Sequence, residues 1–203
     1  MSENKSIALS ELAAAIRAKQ DAERRYEDIF LSRIDDIEFC LEHERYMAAL
    51  ALALTLPDIC GKAEFPSKHT SVTERYIKWF NQFVEPYGKP TSKYSDDMTY
   101  LSGEIAFNLR NSFLHSGNPN VTKHKIKEEQ CKADKFVLLL EKSYTGDTSM
   151  VAYGKDMTVV WREYKANVYL LCTRLCRAAR DYYLNNKDKF NFFQYEIEIG
   201  SYT

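Results

Sequence analysis

The sequence predicts a mainly α-helical domain with a small β-structured insertion. Apolar side chains recur every three to four residues over most of the chain, which is the period of a helix with one buried face. One stretch is apolar on nearly every side, as in the centre of a helical bundle. Two short apolar runs flank a Gly-Asp turn, which is typical of strands. With 203 residues, of which 45% are apolar and 28% charged, one domain over residues 1–203 is expected.

The first part of the chain predicts helices with one apolar face. Residues 1–6 are expected to form a loose tail, and Ser10 is placed to cap the first helix. Apolar residues then follow helical spacing over residues 26–42, which predicts a second helix. A later helix is predicted over residues 73–84, with Thr73 as its N-cap.

Between these helices, residues 46–60 read YMAALALALTLPDIC and are apolar on nearly every side. A helix of this composition is usually buried in the centre of a bundle or at an oligomer interface. Pro57 predicts a kink or an end near Leu56, because proline removes a backbone donor and clashes with the preceding turn. The stretch is too short to cross a bilayer, which takes about 20 residues.

Residues 100–118, YLSGEIAFNLRNSFLHSGN, carry the pattern with the most chemical content. Their apolar positions predict a helix, and Gly117 marks its end. Asn111 and His115 are four residues apart, so they lie one turn apart on the same face, and the long side chain of Arg110 reaches either side. A simpler interpretation is that the two basic residues are favourable charges at a helix end and that the asparagine is a local hydrogen-bonding residue.

The chain after this helix predicts a change of structure. Two short apolar runs, 136–140 and 150–153, indicate a β-hairpin insertion over residues 134–154, with a helix fragment as the alternative for the first run. Apolar positions over residues 159–184 predict one long helix. Residues 190–203 form a tail that ends in a strand-like alternation, which is expected to pair with the hairpin.

Composition and motifs exclude several classes of function. The net charge of −1 provides no overall basic field, so contact with RNA needs a local patch, for example one made by two subunits. The basic segment 123–127 is interpreted as a solvated loop. The five cysteines contain no CxxC pair, and the chain has no glycine-rich phosphate loop and no HExxH element. We therefore expect no metal and no cofactor.

The sequence also bears on location. The N-terminus shows no secretory signal, and no apolar run reaches the length of a membrane span. We expect a cytoplasmic protein with reduced thiols and no membrane partner.

Residues 110–115, RNSFLH, resemble the Arg-x(4–6)-His signature of the HEPN superfamily, in its common form with a polar residue after the arginine. The Ser-Gly pair that follows is similar to the small residues often found after that histidine. The resemblance implies a HEPN-like helical bundle in which long helices pair. Many HEPN proteins are dimeric, metal-independent ribonucleases of toxin and defence systems, and others are non-catalytic binding or scaffolding domains.

Two hypotheses follow from the residues and the resemblance. The first is a HEPN-like endoribonuclease that cleaves RNA as a homodimer, with Arg110 and His115 as catalytic residues, Asn111 in support, and an antitoxin or other protein as a further partner. Histidine titrates near neutral pH and suits the proton transfers when a 2′-hydroxyl attacks a phosphate, and the arginine fork suits the phosphate oxygens. The second is a non-catalytic HEPN-like interaction or nucleotide-binding protein, which the near-neutral charge and the 14 Tyr and 11 Phe residues favour.

Overall fold

The computed structural model describes residues 12–14, 16–17, 20, 28–66, 68–87, 89, 97–142, 146–193 and 195. Longer helices within this part of the chain are α1 (Ile29–Glu42), α2 (Tyr46–Ala53), α3 (Leu56–Glu64), α4 (Val72–Phe83), α5 (Gly103–Ser116) and α6 (Val168–Asn185). A sheet of three strands, β1 (Lys135–Leu139), β2 (Thr148–Tyr153) and β3 (Val159–Asn167), lies between α5 and α6 in the sequence. The predicted mainly helical class with a small sheet after the motif helix is therefore confirmed. The predicted tail 1–6 and the Ser10 cap lie outside the described residues.

The helices pack as a bundle around one core of buried side chains. Helix α4 lies between α3 and α5 and contacts both, while α6 packs against α1, α2 and α3. Trp79 of α4, Leu109 of α5 and Leu171 of α6 are fully buried in this core, and Tyr164 of β3 joins them. The sheet is thus attached to the bundle through its middle strand.

Residues 46–60, predicted as one buried stretch with a break near Pro57, form two helices. The chain turns at Leu54 and Thr55, and Pro57 lies in the first turn of α3, where no backbone donor is needed. By length and composition, Tyr46–Glu64 is also the one stretch of the described residues that would suffice to cross a membrane, with a mean hydropathy of 1.2. Half of that window is buried inside the protein, as in the core helix of a bundle.

Side-chain caps fix where several helices begin. Asp28, Ser71, Ser102 and Asn167 precede α1, α4, α5 and α6, and each accepts a hydrogen bond from a backbone N–H of the first turn. The prediction of Thr73 as a cap is therefore wrong. Ser71 lies two residues earlier and accepts the bond from the Glu74 N–H at 3.1 Å.

The sheet corrects the predicted β-hairpin over residues 134–154. Strands β1 and β2 are present near the two predicted runs, and the alternative of a helix fragment for the first run is wrong, but the two strands do not pair with each other. Strand β3 lies between them, parallel to β1 and antiparallel to β2, with Tyr164 opposite both Phe136 and Ser149. The hairpin of this sheet is β2–β3.

The C-terminal elements correct two further predictions. Residues 159–167 belong to β3 rather than to a long helix over 159–184, because their backbone groups are paired on both sides in the sheet. Helix α6 begins only after Asn167. The strand-like tail predicted over residues 190–203 starts instead in a 3₁₀ helix, Lys187–Phe193, whose Phe190 is buried. Beyond residue 193 only residue 195 is described, and the remainder of that tail lies outside the described residues.

We predict that Gly103→Ala destabilises the fold by about 1–3 kcal/mol, the usual cost of overpacking. A Cβ at this position would meet the side chain of Asn81 and would lie 2.7 Å from the backbone oxygen of Ile77, so α4 and α5 would have to separate. Urea unfolding measures the change. Gly146→Ala is the matched control, because apart from its chain neighbours no described residue has an atom within 4 Å of the added Cβ, and we expect it to stay within about 0.5 kcal/mol of the wild type.

Candidate functional site

The last two turns of α5 carry the predicted site residues. Ile105 and Leu109 face the core and are fully buried, so the following two turns project Arg110, Asn111 and His115 away from it. Gly117 ends the helix with a φ of 65°, a left-handed conformation that glycine adopts without strain. This end of the helix therefore holds the half-buried side chains of Arg110 and Asn111 and the exposed side chain of His115.

Arg110 brings these side chains into one group. Its Nη1 donates to Asn111 Oδ1 at 2.9 Å and lies 3.3 Å from His115 Nε2. On its other edge, Nε donates to Asp58 Oδ2 at 2.9 Å, and Nη2 lies 2.9 Å from the same oxygen. We call Arg110, Asn111, His115 and Asp58 the Arg110 cluster. It joins the first turn of α3 to the last two turns of α5.

Arg110 also contacts the imidazole of His115. An arginine only donates hydrogen bonds, so a hydrogen bond between the two side chains uses His115 Nε2 as its acceptor. The same nitrogen lies at the exposed end of the helix, where it can act as a general base once the guanidinium releases it.

Asp58 is the member of the cluster that the sequence did not predict. It lies 52 residues before Arg110, in the first turn of an apolar helix, and only the fold brings the two together. Burial raises the pKa of its carboxyl, and the nearby Arg110 and Arg75 oppose that shift without cancelling it. Its Oδ1 is buried without a hydrogen-bond partner in the described structure. The only sequence signal was an acidic residue near a helix N-terminus, which is common for purely structural reasons.

A cleft of about 200 Å³ opens beside Asn111, between α4, α5 and the loop that follows α5. Its lining residues are Thr73, Ile77, Glu104, Phe107, Asn108, Asn111, Lys125 and Lys127. We call it the α4–α5 cleft. The cleft and the Arg110 cluster share Asn111, whereas Arg110 and His115 are not among the residues that line the cleft.

Segment 123–127 has exposed basic side chains, as its interpretation as a solvated loop predicts, and it also borders the cleft. Residues Lys123–Lys125 form a 3₁₀ turn, and the backbone N–H groups of Lys127 and Glu128 donate to Glu104 Oε2 at 2.7 and 3.3 Å. These bonds fasten the segment to α5 and place Lys125 and Lys127 at the cleft. The cleft thus has two lysines and one glutamate in its lining, while the chain as a whole is nearly neutral.

The described residues contain no metal-binding cluster and no disulfide. No group of three or more His, Cys, Asp or Glu side chains is arranged there to hold a metal ion. All five cysteines are free thiols, four of them buried.

Comparison with known proteins gives no family for the chain. No family model matches it, and neither a curated protein nor a solved structure does.

We predict that replacing Asp58 by Asn changes stability in a pH-dependent way. Because burial raises the pKa of Asp58 above its usual 3.8, the stability linked to its protonated form is present below about pH 3.9 and is lost as the pH rises through the folded-state pKa. Asparagine does not ionise. The variant should therefore gain unfolding free energy relative to the wild type between about pH 3 and about pH 7 in urea titrations.

Asp134→Asn provides the opposite control. A hydrogen bond from Lys123 lowers the pKa of Asp134, so this carboxylate contributes stability that is lost as the pH falls. The control variant should lose unfolding free energy relative to the wild type over the same pH range. Parallel pH profiles for the two variants would contradict our account of Asp58.

Proposed function

We propose that the chain is a HEPN-like, metal-independent endoribonuclease of the kind found in toxin and defence systems, acting as a homodimer with Arg110 and His115 from both subunits. The observation that carries the proposal is the contact of 3.3 Å between Arg110 Nη1 and His115 Nε2 at an exposed helix end. The α4–α5 cleft beside it, with two lysines in its lining, supports RNA as the substrate. An antitoxin or another protein partner belongs to the same proposal.

The chemistry uses the hydroxyl of the RNA itself. His115 takes the proton from the 2′-hydroxyl, the 2′-oxygen attacks the adjacent phosphorus, and the 5′-oxygen of the next nucleotide leaves. The products are a 2′,3′-cyclic phosphate and a 5′-hydroxyl, the latter after it receives a proton. A second His115, from the other subunit, is suited to give that proton, because one imidazole cannot serve as base and acid in the same step.

Arg110 couples phosphate binding to the state of the histidine. All three nitrogens of its guanidinium have contacts: Nε and Nη2 with Asp58, and Nη1 with Asn111 and His115. A phosphate that binds Nη1 displaces His115 and frees Nε2 to accept the proton of the 2′-hydroxyl. Asp58 keeps the other edge of the guanidinium in place during this exchange.

Because every nitrogen of the Arg110 guanidinium already has a contact within the protein, a second candidate is a non-catalytic HEPN-like interaction or nucleotide-binding protein. In that case the cluster serves to brace the end of α5 against α3, and the cleft binds a nucleotide without cleaving it. The two candidates differ in one observable, which is the formation of new RNA ends.

We predict that the protein cleaves single-stranded RNA with a metal chelator present, and that His115→Ala lowers the rate by about 10²–10⁴-fold, the usual contribution of a general acid or base. Arg110→Ala should lower it by about 10²–10³-fold, as expected when a donor to developing negative charge is removed. Gel analysis of end-labelled RNA measures both rates, and the products should carry cyclic phosphates.

Two matched variants control for the loss of surface charges. His43 also lies at a helix C-terminus, exposed and bonded to a backbone oxygen, and Arg180 also pairs with a carboxylate, that of Glu38. His43→Ala and Arg180→Ala should cleave at the wild-type rate. Equal rates for the wild type, His115→Ala and Arg110→Ala would remove the ribonuclease proposal and leave the binding protein.

We also predict that an excess of His115→Ala protein lowers the activity of the wild type at saturating RNA, because mixed dimers have one histidine where two are needed. Light scattering should give twice the mass of the chain. A monomeric mass, with wild-type activity unaffected by the excess variant, would contradict the shared site.

A further inference from the structure

Two asparagine amides of the α4–α5 cleft have a defined orientation. Asn108 Oδ1 accepts from the Thr122 backbone N–H at 3.0 Å, and Asn111 Oδ1 accepts from Arg110 at 2.9 Å. Both partners can only donate, so the oxygen positions are fixed and each NH₂ group is on the other side of its amide. Neither NH₂ group has a hydrogen-bond partner among the residues that the structure describes. The cleft therefore offers two donors of known placement.

Glu104 adds an acceptor to the same face. It lies one turn before Asn108 on α5, and its Oε2 is engaged by the backbone of the loop. Its Oε1 forms no hydrogen bond within the described part of the chain. Both residues line the cleft, and a carboxylate oxygen together with an amide NH₂ group matches a ligand edge that has a hydrogen-bond acceptor beside a donor.

We propose that the α4–α5 cleft binds a keto base of RNA, uracil or guanine, and thereby sets the base preference of the protein. Both bases have a carbonyl oxygen next to a ring N–H, which fit Asn108 Nδ2 and Glu104 Oε1. Cytosine and adenine have an amino group and an unprotonated ring nitrogen at these positions. Their amino group would face the NH₂ donor of Asn108, and the lone pair of their ring nitrogen would face the carboxylate of Glu104. The choice of RNA as the ligand rests on the proposed function.

The size and walls of the cleft agree with one base. Its volume of about 200 Å³ is below the roughly 300–1,000 Å³ of sites for drug-sized ligands. Ile77 and Phe107 give it apolar walls, and the Phe107 ring is held edge-on by Tyr76 at 5.3 Å between centroids. Lys125 and Lys127 provide positive charge for the attached phosphate. Asn111 connects this base position to Arg110.

The test measures binding of the four nucleoside 5′-monophosphates by isothermal titration calorimetry. These ligands have no phosphodiester bond, so binding is read separately from cleavage. We expect the uridine and guanosine monophosphates to bind at least about tenfold more tightly than the cytidine and adenosine monophosphates. Equal affinities for all four, or no binding up to millimolar concentration, overturn the proposal.

Three variants locate the preference. Asn108→Asp keeps the oxygen that accepts from Thr122 but replaces the NH₂ group by an acceptor, so the preference should move toward the amino bases. Glu104→Gln keeps an oxygen for the loop and should reduce the preference for keto bases several-fold. Asn118→Asp is the control, because its Oδ1 also accepts a backbone N–H, that of Asn120, outside the residues that line the cleft.

The outcomes separate this inference from the proposed function. The protein could prefer keto bases, lose that preference in the first two variants, and yet cleave no RNA. That result supports the base site in the cleft and contradicts the ribonuclease proposal. Cleavage of RNA with equal affinity for all four monophosphates removes the base preference and leaves the ribonuclease. A keto preference that Asn108→Asp and Glu104→Gln both leave unchanged places the base elsewhere and overturns the assignment to the cleft.

Discussion

The ion pair between Arg110 and Asp58 is the interaction on which the candidate site depends. The two side chains are 21% and 19% exposed, so water screens their attraction only in part. Their burial also has a cost, which appears as the raised pKa of Asp58. A partly buried ion pair of this kind is weak evidence for added stability, and what it provides is a fixed orientation of the guanidinium. The pair holds one edge of the guanidinium and leaves the other for Asn111 and His115.

The bundle supplies the rigidity that this pair requires. Helix α4 packs against both α3 and α5, and Tyr76 is fully buried on it. Burial and the negative charge of Asp58 raise the pKa of the Tyr76 hydroxyl, which is another sign of a dry environment behind the Arg110 cluster. The outer side of the cluster faces solvent. A site with a dry support and an open face suits a polymeric substrate that must enter from outside.

Features built by residues close together in the sequence could be predicted, whereas features built by residues far apart could not. Helices α1, α4 and α5 could be predicted because a single amphipathic period defines each one, and the contacts of Arg110 with Asn111 and His115 lie within little more than one turn. Strand β3 could not be predicted, because Val160 and Tyr164 fit the spacing of a helix. Its parallel pairing with β1 also depends on residues 28 positions away in the sequence. Asp58 and the α4–α5 cleft were missed for the same reason: segments far apart in sequence build both.

The turn between α2 and α3 limits how the site can vary. Thr55 anchors this turn through a bond of its hydroxyl to the Leu52 carbonyl at 2.6 Å, and it accepts a bond from Arg33 of α1 at 3.3 Å. Asp58 follows three residues later, so its direction is set by the helical phase counted from that anchor. Inserting or deleting one residue would rotate α3 by about 100° and turn the carboxylate away from α5. The number of residues in this turn is therefore constrained more strictly than the identity of most of the residues in it.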